Sequence, residues 1–526
     1  MFNSDGLSRR DFVKGASAAS AWLCLGQINK ARAFPLGRDN STIYMVDECP
    51  EQDGLMRHRG VDTLFRLLAD NGTAFYQTNR PHPWGAADGL IAANDVVAVK
   101  VNCQWKCRGT TNTDVVRGLI HRILQHPDGF TGEVVIIENG QGQGAFDGDP
   151  DAWNSYSPWP NIDNGIWVNA EEQNLLTVDY LTDTVFADAP VSSFLLDPIR
   201  SNFISSSDHT TDGYRTVSDV SYPCITTAGG HRLELKEGIW NGSSHDQNLK
   251  LINIPVFKDH YGSGITGALK HTYGIVSMED GSSNRRHYSQ SGTQTGKMWI
   301  EVRPATLNIV DCIWVSHDSL SGYPESTTFR ANKLVAGIDP VALDYYVSKH
   351  ILLPLGGSYV HRHNPDTYSG LINHLTGAQD YINTNGGVFG KMTNQGDANI
   401  DVITADAQMA PSPNLKANGE ENAITLSSTT PVSLTVSILA GGHAGQNADK
   451  WIVAKAPTGW WSYVQGSWKP GFRRFSSGPL NDLDETVILN TPLPPGDYTV
   501  YVAIDDNADG VFDATWWDSV DIHVTV

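Results

Sequence analysis

Asp95-Val-Val-Ala-Val-Lys-Val-Asn102, then Thr113 to Gln125, then Gly132-Glu-Val-Val-Ile-Ile-Glu138, decide the fold. The first and last are short apolar runs with polar ends, the texture of strands buried on both faces. Between them Val116, Leu119, Ile120, Ile123 and Leu124 recur at helical spacing, and Thr113 is placed to cap the helix. Strand, helix and strand at this spacing make a βαβ unit, which requires parallel pairing. Lys250 to Val256 and Leu307 to Val315 supply further buried strands, and Leu334 to Ile338 leads into a helix from Asp339 to His350. Residues 34–406 are therefore expected to form an α/β domain with a mostly parallel sheet and flanking helices. Within it, 147–218 is rich in Asn, Asp, Ser, Trp and Pro and is expected to be an insertion with little regular helix.

Further along the texture changes. Ala-Pro-Ser-Pro-Asn and Asn-Gly-Glu-Glu-Asn mark 407–422 as a linker. Val432 to Ile438 and Tyr498 to Ile504 alternate apolar and polar residues, and Pro494-Pro-Gly-Asp497 is a turn. Residues 423–526 are expected to form an all-β sandwich.

At the N-terminus, Ser8-Arg9-Arg10-Asp11-Phe12-Val13-Lys14 precedes a short apolar stretch from Gly15 to Gly26 and an Ala31-Arg32-Ala33 cleavage site. This order predicts a twin-arginine signal over 1–33, the twin-arginine translocase as partner, and a periplasmic or secreted destination. That route carries folded proteins and raises the expectation of a bound cofactor. No other apolar run approaches the ~20 residues of a spanning helix. The 526 residues carry a formal charge of −21, which disfavours nucleic acid and anionic membrane. Cys103-Gln-Trp-Lys-Cys107 is the one close cysteine pair, read either as a disulfide or as two thiols near a strand end. No ferredoxin-type cysteine run is encoded, so no iron–sulfur cluster of that type is expected.

The densest polar constellation runs from Asn253 through Lys258, His260, Thr266, Lys270 and His271 to Gly274. It follows a strand, where open α/β sheets bind ligands. Lysines, histidines and glycines together can surround an anion or a metal, with backbone N–H groups approaching it. The alternative is a solvated loop.

These residues resemble a known group. Lys100-Val-Asn102, Thr111 and Thr113 with Val116-Arg117, the strand Val134 to Glu138, and the loop Pro255-x-x-Lys258-x-His260 with Thr266, Lys270 and Gly274 are similar to the family catalogued as domain of unknown function 362. Asn308-Ile-Val-Asp311, Asn332 and Asp339-Pro340-Val-Ala-Leu-Asp344 match its end. The resemblance covers roughly 95–350. Many relatives carry a ferredoxin segment that this chain lacks, and His271 stands where relatives often have Asn. A fainter similarity is to nickel-pincer lactate racemases, in which a His precedes a Lys by ten positions, as His260 precedes Lys270. That resemblance implies an organic nickel cofactor on Lys270 and nickel ligation by a later His, for which His287 is placed. The Thr-His-Arg motif of those enzymes is absent.

His361-Arg-His363 and His374 form a second cluster, able to ligate a metal or simply to decorate a loop. Asp505-Asp-Asn507-Ala-Asp509-Gly510-Val-Phe-Asp513 has the D-x-N-x-D-G core of calcium loops, with Asp513 or Asp518 needed to complete the shell. The alternative is a plain acidic turn. The combined expectation is an exported enzyme acting on a small anionic substrate. Its catalytic groups would be His260, Lys270 and Lys258. Lys100, Asn102, Thr266, His271 and Asp339 would bind substrate, and a transition metal or organic cofactor would assist. The other reading is a non-catalytic binder of an anion, metal or cell-surface glycan, with Trp-rich strands attaching it to a surface.

Overall fold

The computed structural model describes residues 40–50, 56–80, 82–103, 108–139, 178–277, 292–322, 325–385, 395–421, 423–512 and 514–526. The signal over 1–33, Cys107, His287 and Asp513 lie outside the described residues.

The valine-rich runs form strands because β-branched side chains suit a pleated surface and both of its faces are covered. The main sheet contains β1 (Ser41–Asp47), β2 (Val96–Val101), β3 (Glu133–Glu138), β4 (Val191–Leu195), β5 (Leu249–Ile254), β8 (Leu307–Ser316), β9 (Thr328–Gly337) and β10 (Ile400–Asp406), in the order β10-β1-β9-β8-β5-β2-β3-β4. β6 (Val256–His260) pairs with β8 and with the short β7 (Gly264–Thr266). The sheet is mixed. β8, β5, β2, β3 and β4 run parallel, whereas β9 is antiparallel to both β1 and β8.

Alternation along the strands sorts side chains into separate cores. Val97, Val99, Val101, Val134 and Ile136 face α1 (Arg59–Asp70) and α2 (Thr113–Leu124). Val96, Ala98, Val135 and Ile137 face the other way, toward a five-stranded antiparallel sheet within 213–246 and toward Met298 and Val302 of α3 (Gly292–Val302). One half of the main sheet is thus flanked by helices on one face and largely by a second sheet on the other. The side chain of Asn112, one residue before Thr113, caps α2 by accepting from Asp114 N at 2.9 Å and Val115 N at 3.4 Å. The described part of 147–218 is more ordered than a plain insertion: it supplies β4 and Gly213–Val217 of the small sheet.

α4 (Pro340–Val347) and α5 (Ser369–Asn385) cover the region around β8 and β9. Beyond β10 the chain is β-rich. β11 (Ser412–Ala417) lies inside the stretch expected to be a linker, yet it pairs with β12 (Pro431–Leu439), which pairs with β14 (Leu483–Pro492). Its Leu415 and Ala417 are fully buried, so this proline-flanked segment is held by its apolar residues rather than left as a tether. The facing sheet includes β13 (Asn447–Ala456), β15 (Gly496–Asp505) and β16 (Trp516–Thr525). The two sheets enclose one core around Leu434, Val436, Ile452, Val502 and Val520. No helix among the described residues is long and apolar enough to cross a membrane.

Candidate functional site

The ends of β2, β3 and β5 converge with β6, β7 and the turn Lys270–Gly274. Six of the expected residues meet here: Lys100 and Asn102 at the end of β2, Lys258 on β6, Thr266 opposite it on β7, and Lys270 and His271 on the turn. All six are buried. His260 shares a strand face with Lys258, and its Nδ1 accepts from Gly262 N at 3.0 Å.

Three lysines in one dry region need counter-charge or proton loss. Lys100 pairs with Glu138, and its Nζ also donates to the Val101 carbonyl at 2.6 Å. Burial pushes the Glu138 carboxyl up to about 7 against the pull of Lys100, and burial lowers Lys100. Gly274 permits this packing: a Cβ there would lie 2.5 Å from both Lys100 Nζ and Glu138 Oε1. Lys258 Nζ donates to the Gly109 carbonyl at 2.7 Å. No described group accepts a hydrogen bond from Lys270, whose ammonium lies 4.7 Å from the centre of the Tyr273 ring. Burial, then the charge of Lys258, lowers Lys270 to about 7.

His271 is held in one tautomer by a chain of amides. Asn308 Nδ2 donates to the Gly337 carbonyl at 3.2 Å, which leaves its Oδ1 to accept from Asn253 Nδ2 at 2.9 Å. Asn253 Nδ2 also donates to the Ala268 carbonyl at 3.1 Å, so Asn253 Oδ1 must face His271 Nδ1 and take its proton in a hydrogen bond. Nε2 then carries the lone pair. It is buried and makes no hydrogen bond to a described group, and neither does Thr266 Oγ1. Burial and the charge of Lys100 hold the imidazole well below its ordinary value, so the ring is neutral.

Asp344 anchors the loop. Its Oδ1 accepts from Ala268 N at 2.6 Å and Oδ2 from Leu269 N at 3.1 Å. A Cβ at Gly267 would meet that carboxylate at 2.2 Å. Burial raises Asp344 to about 7 against those two backbone donors. Asp339 does not join the lysines. It caps α4 through Val341 N at 2.9 Å and Ala342 N at 3.1 Å and accepts from the Ser41 hydroxyl, so it is committed to the helix end. Glu138, Asn253, Asn308 and Asp344 stand in the motifs of the sequence without an expected role at the site, and the structure adds them to it. A polar residue ending each buried strand was the available signal for the first two.

In the C-terminal loop, Asp505, Asn507 and Asp509 each accept from the backbone N–H two residues ahead, at 3.1, 3.2 and 2.8 Å. Buried Asp449 lies beside this loop and accepts from Gly510 N at 2.8 Å. Asp518 is turned elsewhere. Strand alternation sets it on the inner face of β16, where Oδ2 accepts from Leu415 N at 2.9 Å and Arg122 stands 3.9 Å away. It cannot complete a shell at the loop. The second histidine cluster is also accounted for in part: His363 is buried and its Nε2 lies 2.9 Å from Asp259 Oδ1.

Among the described residues His209, Glu234 and His245 bring ligand atoms within 4.8 Å of one another. Each histidine lies 2.6 Å from a Glu234 oxygen, and Arg215 donates to both of those oxygens. The carboxylate is already engaged, so this cluster reads as a hydrogen-bonded network.

With this geometry in place, known proteins provide a family relation. Residues 240–349 match the family described as Domain of unknown function (DUF362). That segment holds β5 to β7, the lysine turn, β8, β9 and α4. No curated protein matches the chain. Two solved structures of a CARDB domain from Pyrococcus furiosus, one a crystal structure in complex with di-metal ions and one a solution structure, are similar to 22% of this chain. They are 14% and 13% identical to it, with 88% and 95% of their own lengths covered and a TM-score of 0.14 in each case.

Proposed function

We propose that this chain is an exported α/β enzyme of the DUF362 kind that binds a small carboxylate or phosphate at the Lys258–His271 loop. One observation carries the reading: Lys258 and Lys270 are buried close enough for one charge to depress the other, and no described acidic group pairs with Lys270. A bound anion would supply the missing counter-charge and restore the protonated ammonium. Thr266 Oγ1 would donate to it, satisfying a buried hydroxyl. His271 Nε2, fixed as the lone-pair nitrogen, is the group to take a proton from the ligand, and the Glu138–Lys100 unit behind it buffers the charge. His260 is the second acid–base candidate. A transition metal or an organic cofactor attached through the Lys270 amine is compatible with an amine that is half deprotonated near neutral pH; such a group would supply redox or isomerase-type chemistry.

A non-catalytic anion-binding protein is the competing reading, since the same charges would serve it. Calorimetric titration with acetate, lactate and inorganic phosphate tests binding, and turnover of the bound anion separates the two readings. Absence of binding by all three would overturn the site. Export is tested by Arg9→Lys with Arg10→Lys: precursor should accumulate in the cytoplasm, and normal export of that double variant would refute the pathway. Calcium is proposed at Asp505, Asn507 and Asp509; Asp449 beside them is engaged, since both its oxygens accept from Arg474 at 3.1 Å.

A further inference from the structure

A second cationic site, sharing no residue with the lysine turn, lies where the N-terminal part meets the β-rich C-terminal part. Arg57 Nη2 donates to Ser412 Oγ at 2.6 Å, and Gln125 Nε2 donates to the Ser519 carbonyl at 3.3 Å, so the two parts are in direct contact. Between them is a cavity of about 210 Å³. Its lining includes Arg57, Arg59, Arg66 and Arg122 but only two carboxylates, Asp62 and Asp406, in a chain of net charge −21. Asp62 is consumed: both its oxygens accept from Arg122 at 2.7 Å, and Arg57 stands 3.6 Å away. Asp518 backs Arg122 from 3.9 Å. Arg66 is held loosely at the rim, 3.4 Å from Asp70 and 3.7 Å from Asp506, with its guanidinium 4.4 Å from the centre of the Trp516 ring.

The remaining lining combines three tryptophans with small and aliphatic residues such as Ala405, Met409 and Pro411. Trp84, Trp516 and Trp517 all line the cavity, and the Arg122 guanidinium stands 5.2 and 5.1 Å from the centres of the Trp84 and Trp517 rings. Indole faces favour a flat ring, and guanidinium groups favour a carboxylate. The volume lies below the ~300 Å³ of typical drug-sized pockets, which limits the ligand to about one ring.

We infer that this seam cavity binds a small organic acid that joins a carboxylate to a single flat-faced ring. An acidic sugar and an aromatic carboxylic acid share that chemistry. The site is independent of the lysine turn.

The experiment titrates the full chain with glucuronate, benzoate, glucose and inorganic phosphate, followed by tryptophan fluorescence and calorimetry. One or both ring acids should bind, at least about tenfold tighter than glucose or phosphate. Binding of glucuronate alone identifies an acidic sugar as the source, and binding of benzoate alone an aromatic acid. Arg66→Ala, at a partly exposed position, should weaken binding about tenfold while leaving the melting temperature in place. Met409→Trp, which fills the half-exposed rim, should block binding by steric closure. Lys270→Ala should leave it unchanged. The inference is overturned if neither ring acid binds, if glucose or phosphate binds as well, or if both rim variants bind normally. Loss in Lys270→Ala alone would also overturn it, by moving the binding to the lysine turn.

Discussion

Arg122 and Lys270 are both buried cations, and their surroundings treat them in opposite ways. Burial opposes the charge of Arg122, but the bidentate bond to Asp62 and the nearby Asp518 outweigh it and raise the guanidinium above its ordinary value. Lys270 has burial and the charge of Lys258 against it and no described acceptor in its favour, and it falls to about 7. A cation supplied with its own carboxylate is part of the architecture. A cation placed beside another cation in a dry loop must either lose its proton or gain a counter-charge.

The sharpest way to break this comparison is to remove the carboxylate. Asp62→Ala leaves Arg57 and Arg122 without their main partner and should cost about 3–5 kcal/mol of unfolding free energy in urea titrations. A loss below about 1 kcal/mol would show that the arginines are not tied down by it.

Removing the other cation should have the reverse pattern. Lys270→Met keeps most of the volume and deletes the charge. Stability should hold or rise, while anion affinity measured by calorimetry should fall by about 1.5–3 kcal/mol, the worth of a hydrogen bond to a charged group. Destabilisation comparable to Asp62→Ala would make Lys270 architectural.

Proton linkage gives a subtler distinction. The folded value of Lys270, about 7, lies below its unfolded value of 10.5, so between these pH values the unfolded chain holds more protons at this position. Stability should therefore rise with pH across that window through this group, and Lys270→Met should remove the slope. Anion affinity should move the other way, falling as pH rises above about 7 and the ammonium loses its proton. A flat affinity profile from pH 6 to 9 would refute the assignment.

The smallest expected effect is in the C-terminal loop. At a few times its dissociation constant, calcium should add about 1 kcal/mol to stability, read as a rise in melting temperature that chelator reverses. Asp509→Ala should abolish the response. No response in the parent chain would leave Asp505 to Asp509 as a turn held by its side-chain-to-backbone bonds.

Much of this was legible in the residues. The apolar runs around Val97 and Val135, the helix between them and the Lys258–His271 loop follow from local periodicity and composition, and the structure brings Lys100 and Asn102 to that loop through the parallel β5–β2 pairing. The sequence resemblance and the family match over 240–349 agree on the loop. Local pattern was less able to assign partners. Asp339 and Asp344 sit in one helical stretch, yet one caps the helix and the other reaches the loop at 267–269. Asp518 is close in sequence to the acidic loop, but strand alternation sends it to the opposite side, toward Arg122.

The sequence by itself determined the buried strands, the α2 helix, the alternating β-rich C-terminal part and the place where cations and glycines gather. Those features depend on side-chain periodicity and backbone freedom, which act over a few residues. Tertiary structure alone decided which cations are neutralised. The pairing of Lys100 with Glu138 spans 38 positions, and the contact of Arg122 with Asp518 joins the α/β part to the β-rich C-terminal part. Burial and charge act through space at a few ångströms, and that distance is fixed only when the sheets have packed.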